Sequence, residues 1–126
     1  MQIDKDLNSE HAELYMDVRE FITSEIELYV EKVKEKYSDN ITTLYGTGLC
    51  SAFCYLRVKD DFVWIGWFNG TRIVDKFRHF FGDGKQIRGQ KVKFLDDGCK
   101  EAISYYVEQS YISLLEKDAI KKMRKR

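Results

Sequence analysis

The spacing of apolar residues changes period along the chain, and that change limits what it can fold into. From Ser9 to Tyr37 the residues Leu14, Val18, Ile22, Ile26, Tyr29, Val33 and Tyr37 recur every three or four positions, which lines one face of a long helix. Asn8 or Ser9 is placed to cap it. Glu10 and Glu13 fall near its positive end and Lys32, Lys34 and Lys36 near its negative end, as the helix dipole favours. Ser38-Asp39-Asn40 then breaks the pattern. Ile41 to Tyr45 opens a β-branched and aromatic run that stops at Gly46-Thr47-Gly48.

Cys50 to Lys59 and Phe62 to Phe68 read as two strands around the turn-forming Asp60-Asp61, an antiparallel hairpin. Phe62, Trp64 and Phe68, with Gly66 among them, share one face, and Val63, Ile65 and Trp67 the other. Both faces are apolar and are expected to be covered at least in part. Thr71 to Phe81 fits a short helix or a folded loop. After the Gly82-Asp83-Gly84 turn, Gln90 to Leu95 alternates as a half-buried fourth strand does. Asp96 or Asp97 caps a closing helix with a buried stripe of Cys99, Ala102, Ile103, Tyr106, Val107, Ser110, Tyr111 and Leu114. The expected fold is α+β: an antiparallel sheet of about four to five strands, with a long N-terminal helix and a C-terminal helix packed on it. Residues 1–116 form one domain in this reading, and residues 117–126 a basic tail that frays.

A chain of 126 residues suits one hydrophobic core. Met1 to Asn8 carries Asp4, Lys5 and Asp6 and no apolar run of the kind translocation requires, and no stretch approaches the ~20 apolar residues that span a bilayer. A cytoplasmic protein without membrane insertion is expected. Three cysteines, Cys50, Cys54 and Cys99, then read as reduced packing residues. The zero net charge is unevenly spread: residues 1–40 hold 11 acidic and 5 basic side chains, residues 41–100 hold 6 and 10, and residues 101–126 hold 4 and 6. Without residues 117–126 the balance is 20 acidic to 15 basic, a net of −5, so nucleic acid is not the expected partner of the body. The tail itself could meet nucleic acid or an acidic partner.

Phe53-Cys54-Tyr55-Leu56-Arg57-Val58-Lys59, then Val63-Trp64-Ile65-Gly66-Trp67-Phe68-Asn69-Gly70, then Gly82-Asp83-Gly84-Lys85-Gln86-Ile87-Arg88, taken in order, resemble the YdhG-like domains. There an aromatic hairpin ending in glycine precedes a Gly-x-Gly-Lys-x-apolar-Arg turn. Tyr45-Gly46 and Val18-Arg19-Glu20-Phe21-Ile22 are also similar to that family, and the likeness covers roughly residues 10–113. Thr47-Gly48-Leu49 stands where the family commonly has a proline, and Gly89-Gln90 where it often has histidine and an apolar residue. The resemblance implies an antiparallel α+β fold. Some members carry an iron-chaperone, frataxin-analogue label.

Several groups are candidates for chemistry. The Gly82, Gly84, Lys85, Arg88 turn combines backbone amides that can approach an anion with fixed positive charge; a plain solvated turn explains the same residues. It is neither a P-loop nor a dinucleotide fingerprint. Tyr45, Tyr55, Trp64, Trp67 and Phe68 could wall a site for a flat ligand, although strand alternation produces such a set in any core. Glu10, Glu13, Asp17 and Glu20 have helical spacing and could hold a hard cation, or simply form a solvated face. Cys50 and Cys54, four apart on a strand, would lie about 13 Å from each other and could not share an ion. His79 reads as a structural or surface residue, with Asp75 four residues before it as a possible acid–base partner. The expected function is a non-enzymatic binding or chaperone-like domain, with an unknown small anionic ligand at the Gly82–Arg88 turn beside the aromatic wall, or with a protein partner, as a monomer or homodimer and without a cofactor. The alternatives are an iron-binding protein using Glu10, Glu13 and Asp17, and a minor enzyme using His79 and Asp75.

Overall fold

The computed structural model describes residues 12–59 and 61–124. Helix α1, Ala12–Ile26, buries Tyr15, Val18, Ile22 and Ile26; the last three belong to the expected stripe, whose first member, Leu14, is half-buried and gives its place to Tyr15. Asn8, Ser9, Glu10, His11 and Asp60 lie outside the described residues. The long helix expected to reach Tyr37 ends at Ile26: Tyr29 N and Val30 N turn back onto Ile26 O at 2.9 and 3.2 Å. Val33–Ser38 is a strand, β1. Residues four apart share a face in a strand as they do in a helix, so Val33 and Tyr37 satisfied both periods. The intervening Lys34, Glu35 and Lys36 supply the alternation that selects the strand: Val33, Glu35 and Tyr37 are half-buried, Lys34 and Lys36 exposed.

β1 turns into β2, Ile41–Gly46, through Asp39 and Asn40, with φ of 53° and 62°. Two successive residues with positive φ are the signature of the two-residue turn whose twist matches an antiparallel pair. β3, Ala52–Lys59, and β4, Phe62–Trp67, form the expected hairpin, with Lys59 opposite Phe62. A single 3-10 turn, Gly70–Arg72, then leads through irregular chain to a two-residue strand β5, Phe80–Phe81. The fourth expected strand is observed as β6, Arg88–Val92, which begins two residues and ends three residues earlier than its alternation suggested. The closing helix α2 runs from Asp97 to Arg124. The segment expected to fray after Lys117 is therefore helical through Arg124. Its first turn is anchored by the Asp96 carboxylate, which accepts the Cys99 amide at 2.9 Å.

The six strands form one antiparallel sheet in the order β1-β2-β3-β4-β6-β5, an α+β architecture with more strands than expected. Both helices pack on one face of it. Tyr15, Val18, Ile22 and Ile26 from α1, and Ala102, Ile103, Tyr106, Val107 and Leu114 from α2, meet Leu44, Leu56, Ile65 and Trp67 of the sheet in one core. Full burial of each large apolar side chain there contributes roughly 1.5–3 kcal/mol. Polar ties set how α1 sits on the sheet. Arg19 of α1 makes a two-pronged ion pair with Glu35 of β1, at 2.5 and 2.6 Å, and Tyr15 OH is bonded to Thr42 of β2 at 2.5 Å. Burial alone would raise the Glu35 pKa, but hydrogen bonds from Arg19 and Tyr37 hold its carboxyl below the ordinary range. No helix among the described residues is long and apolar enough to cross a membrane.

Candidate ligand-binding face

The opposite face of the sheet carries no helix among the described residues. Strand alternation puts Lys34 and Lys36, Thr43 and Tyr45, Tyr55, Arg57 and Lys59, Phe62, Trp64 and Gly66, and Gly89 and Lys91 on this side. The register aligns them. Lys36, Thr43, Tyr55, Gly66, Gly89 and Phe81 form one row across all six strands. Arg57, Trp64 and Lys91 are neighbours in the next row, and Lys59 faces Phe62 beyond them.

Two glycines determine how the large rings lie. Gly66 and Gly89 are direct partners across β4 and β6. A Cβ added at Gly66 would overlap the Tyr55 ring, and one at Gly89 would overlap the Trp64 ring. Each ring therefore rests on bare backbone, flat against the sheet, where a side chain would otherwise lift it. Trp64 Nε1 donates to Tyr55 OH at 3.2 Å, which locks the two rings edge to edge. Phe68 packs beside Tyr55 and Phe62 beside Trp64, with ring centres 5.6 and 6.4 Å apart. Tyr55, Trp64 and Phe68 all stay partly exposed.

Cations frame this raft. Lys59 Nζ lies 5.9 Å from the Trp64 ring centre, and Lys91 Nζ lies 5.2 and 4.9 Å from those of Phe62 and Phe81. The ammonium groups themselves sit over these rings, within the range of a cation–π contact. No carboxylate occupies a described position of β1 to β6 on this side. At its rim, Asp61 in the β3–β4 turn lies 3.6 Å from Lys93 Nζ, and Asp39 sits in the β1–β2 turn. A shallow cleft of about 640 Å³ adjoins the face at the β5–β6 edge, lined in part by His79, Phe81, Lys91 and Phe94.

The residues singled out from sequence separate into different places. Tyr45, Tyr55, Trp64 and Phe68 belong to the open side. Trp67 does not: its ring is fully buried against the helices, where it packs on Tyr106 at 5.8 Å and donates to Gln90. In the Gly82–Arg88 turn, the Arg88 guanidinium donates to the carbonyls of Gly84 and Ile87, closing the loop on itself. Thr71 pins the same loop, donating its hydroxyl to Lys85 O and its amide to Gln86 O, both at 3.1 Å. Gly82 (φ 109°) serves the turn, and Gly84 and Lys85 are exposed.

Of the acidic helix residues, Glu13 and Asp17 line a shallow cleft with Asp61, Asp96 and Lys93. Among the described residues no three His, Cys, Asp or Glu side chains stand close enough to share an ion. Asp75 does not touch the His79 imidazole. Its carboxylate accepts the His79 and Phe80 amides at 3.0 and 3.1 Å and the Tyr106 hydroxyl at 2.5 Å, while the ring Nδ1 meets Gln90 Nε2 at 3.1 Å. Cys54 and Cys99 are buried and Cys50 is exposed; burial pushes the Cys54 thiol well up and Cys99 up to about 11, so neither is a nucleophile at neutral pH.

Sequence reasoning missed Lys34, Lys36, Arg57, Lys59, Lys91 and the paired glycines. The signal was present in Tyr55-x-Arg57-x-Lys59, where period two joins an aromatic ring and two cations on one side. No family model, curated protein or solved structure matches the chain.

Proposed function

We propose that this protein is a non-enzymatic binding domain for flat anionic ligands, and that it binds them on the open side of the sheet. The observation that carries this is the pair of rings, Tyr55 and Trp64, laid over Gly66 and Gly89 inside a border of lysine and arginine without a facing carboxylate. A ring held flat offers its π face to a planar group, and the surrounding charge attracts an anion. The Gly82–Arg88 turn supports the reading less well than expected from sequence, because Arg88 already donates to its own loop. The likeness to YdhG-like domains is kept as a proposal on the ordered motifs.

Amide NMR of the labelled protein, titrated with adenosine monophosphate into the millimolar range, tests the site. Shifts at Tyr55, Gly66 and Gly89 and at the Trp64 indole are expected. Shifts confined to Gly82–Arg88, to Glu13 and Asp17, or found nowhere would overturn it.

A further inference from the structure

We infer that the ligand of this face is single-stranded nucleic acid, lying across the strands so that successive bases stack on Tyr55 and Trp64 while the basic border meets its phosphates. The inference rests on the open-face reading above and adds the ligand class. Three observations carry it.

The first is shape. Small-molecule sites enclose most of their ligand, whereas this face is open and offers each flat group a single ring to lie on. One stacked base contributes about 1–3 kcal/mol, short of the roughly 4 kcal/mol of a millimolar constant, so a mononucleotide is held at that level only where its phosphate also meets the basic border. A tethered series of bases converts the second contact into an intramolecular one, so a polymer gains from such a surface what a monomer cannot. The second is charge. The chain is neutral overall, but its charges are unevenly placed: α1 carries Glu13, Asp17, Glu20 and Glu25 against Arg19, α2 is balanced, with Asp97, Glu101, Glu108, Glu116 and Asp118 against Lys100, Lys117, Lys121, Lys122 and Arg124, and the open side of the strands carries no described carboxylate. Lys34, Lys36, Arg57, Lys59 and Lys91 stand on that open side. Phosphate neutralisation responds to this local segregation and not to the chain total, which is why net charge argued against such a partner.

The third is reach. The row from Lys36 to Phe81 crosses six strands, five spacings of about 4.8 Å or about 24 Å in all. That length suits a segment of about four nucleotides, the low end of single-domain site sizes. Base pairing in a duplex hides the ring faces that Tyr55 and Trp64 would engage, so the single strand is selected.

Fluorescence anisotropy of the full chain with labelled oligo-dT and oligo-U of two to eight nucleotides tests this. Affinity is expected to rise with length up to about four nucleotides and to fall with salt, with a log–log slope of about −2 to −3 for the three or four phosphates of such a segment. A duplex of the same length and inorganic polyphosphate are expected to bind more weakly, and the dT and U series show which sugar is preferred. Trp64→Ala is expected to weaken binding about 5- to 150-fold. Because that change also removes packing, Arg57→Glu and Lys36→Glu, at exposed positions, serve as variants that keep the fold and should each weaken binding. Oligonucleotides no tighter than adenosine monophosphate would overturn the inference while leaving the open-face reading intact if the monophosphate still shifts Gly66 and Gly89. Equal binding of polyphosphate, or binding indifferent to Arg57→Glu and Trp64→Ala, would also overturn it.

Discussion

The indole Nε1 of Trp67 donates a 3.0 Å hydrogen bond to the side-chain oxygen of Gln90 within the core. Indole can only donate, so the amide orientation follows: oxygen toward Trp67, NH2 toward His79 Nδ1 at 3.1 Å. Nδ1 then accepts, and the ring proton sits on Nε2. Nitrogen-15 ring spectra of His79 should show that tautomer. Trp67→Phe leaves the Gln90 oxygen buried without a donor, an expected loss of about 1–3 kcal/mol before any packing term. Urea unfolding measures it, and an unchanged midpoint would mean that water or another donor replaces the indole.

The resting of Trp64 on Gly89 has its own test. Gly89→Ala forces a methyl into the ring and should destabilise by about 1–3 kcal/mol, the usual range for overpacking. In a Trp64→Ala background the ring atoms that this methyl meets are gone, and the same change should cost far less. The double-mutant cycle therefore predicts a coupling of about 1–3 kcal/mol. Additive effects would show that the ring does not lie over the glycine in solution.

Much of this was legible from the chain and some was not, for physical reasons. The β3–β4 hairpin was clear because long aromatic runs flank a two-residue turn, and the α2 stripe because helical spacing persists from Cys99 to Leu114. The false extension of α1 arose where positions 33 and 37, four apart, satisfy both periods. Trp64 and Trp67 have nearly the same composition around them, yet their odd spacing sends one ring to solvent and the other to the core. Arg88 illustrates what sequence could not contain: whether a guanidinium is free or turned onto its own loop depends on the path of the chain. The basic face escaped notice because a sum over sequence segments mixes the two sides of every strand.

Asp75 organises the chain entering β5, and its pH behaviour follows from its partners. Burial alone would raise its pKa, but the Tyr106 hydroxyl and the Phe80 and His79 amides hold it below the ordinary value of 3.8. A depressed carboxylate contributes stability that is present above its ordinary pKa and is lost as pH falls through its folded value. Asp75→Asn should therefore cost about 1–3 kcal/mol at neutral pH, through the weaker acceptor left to the Tyr106 hydroxyl and two amides. The gap to wild type should shrink as the pH drops below 3.8. Unfolding midpoints measured from pH 7 to pH 2 check this, and a gap constant with pH would mean the carboxylate is not ionised in the native state.

Asp39 and Asn40 decide whether β1 exists at all. Their positive φ angles, 53° and 62°, belong to a conformation that costs an ordinary L residue about 1–2 kcal/mol and that Asn, Asp and Gly tolerate best. The turn fixes the register of Ser38 opposite Ile41 and thus of Glu35 opposite Leu44, which points Glu35 at Arg19 and leaves Lys34 and Lys36 on the open side. Asn40→Gly should be neutral or stabilising by up to about 1 kcal/mol, because Asp-Gly is among the preferred pairs for this turn. Asn40→Val should destabilise by about 1–2 kcal/mol and, by loosening the hairpin, weaken the Arg19–Glu35 pair. Thermal unfolding reads the first effect, and amide exchange along Val33–Ser38 the second. If Asn40→Val left both unchanged, the strand would have to be held by its contacts with β2 and α1 alone, and the turn would follow the pairing without directing it.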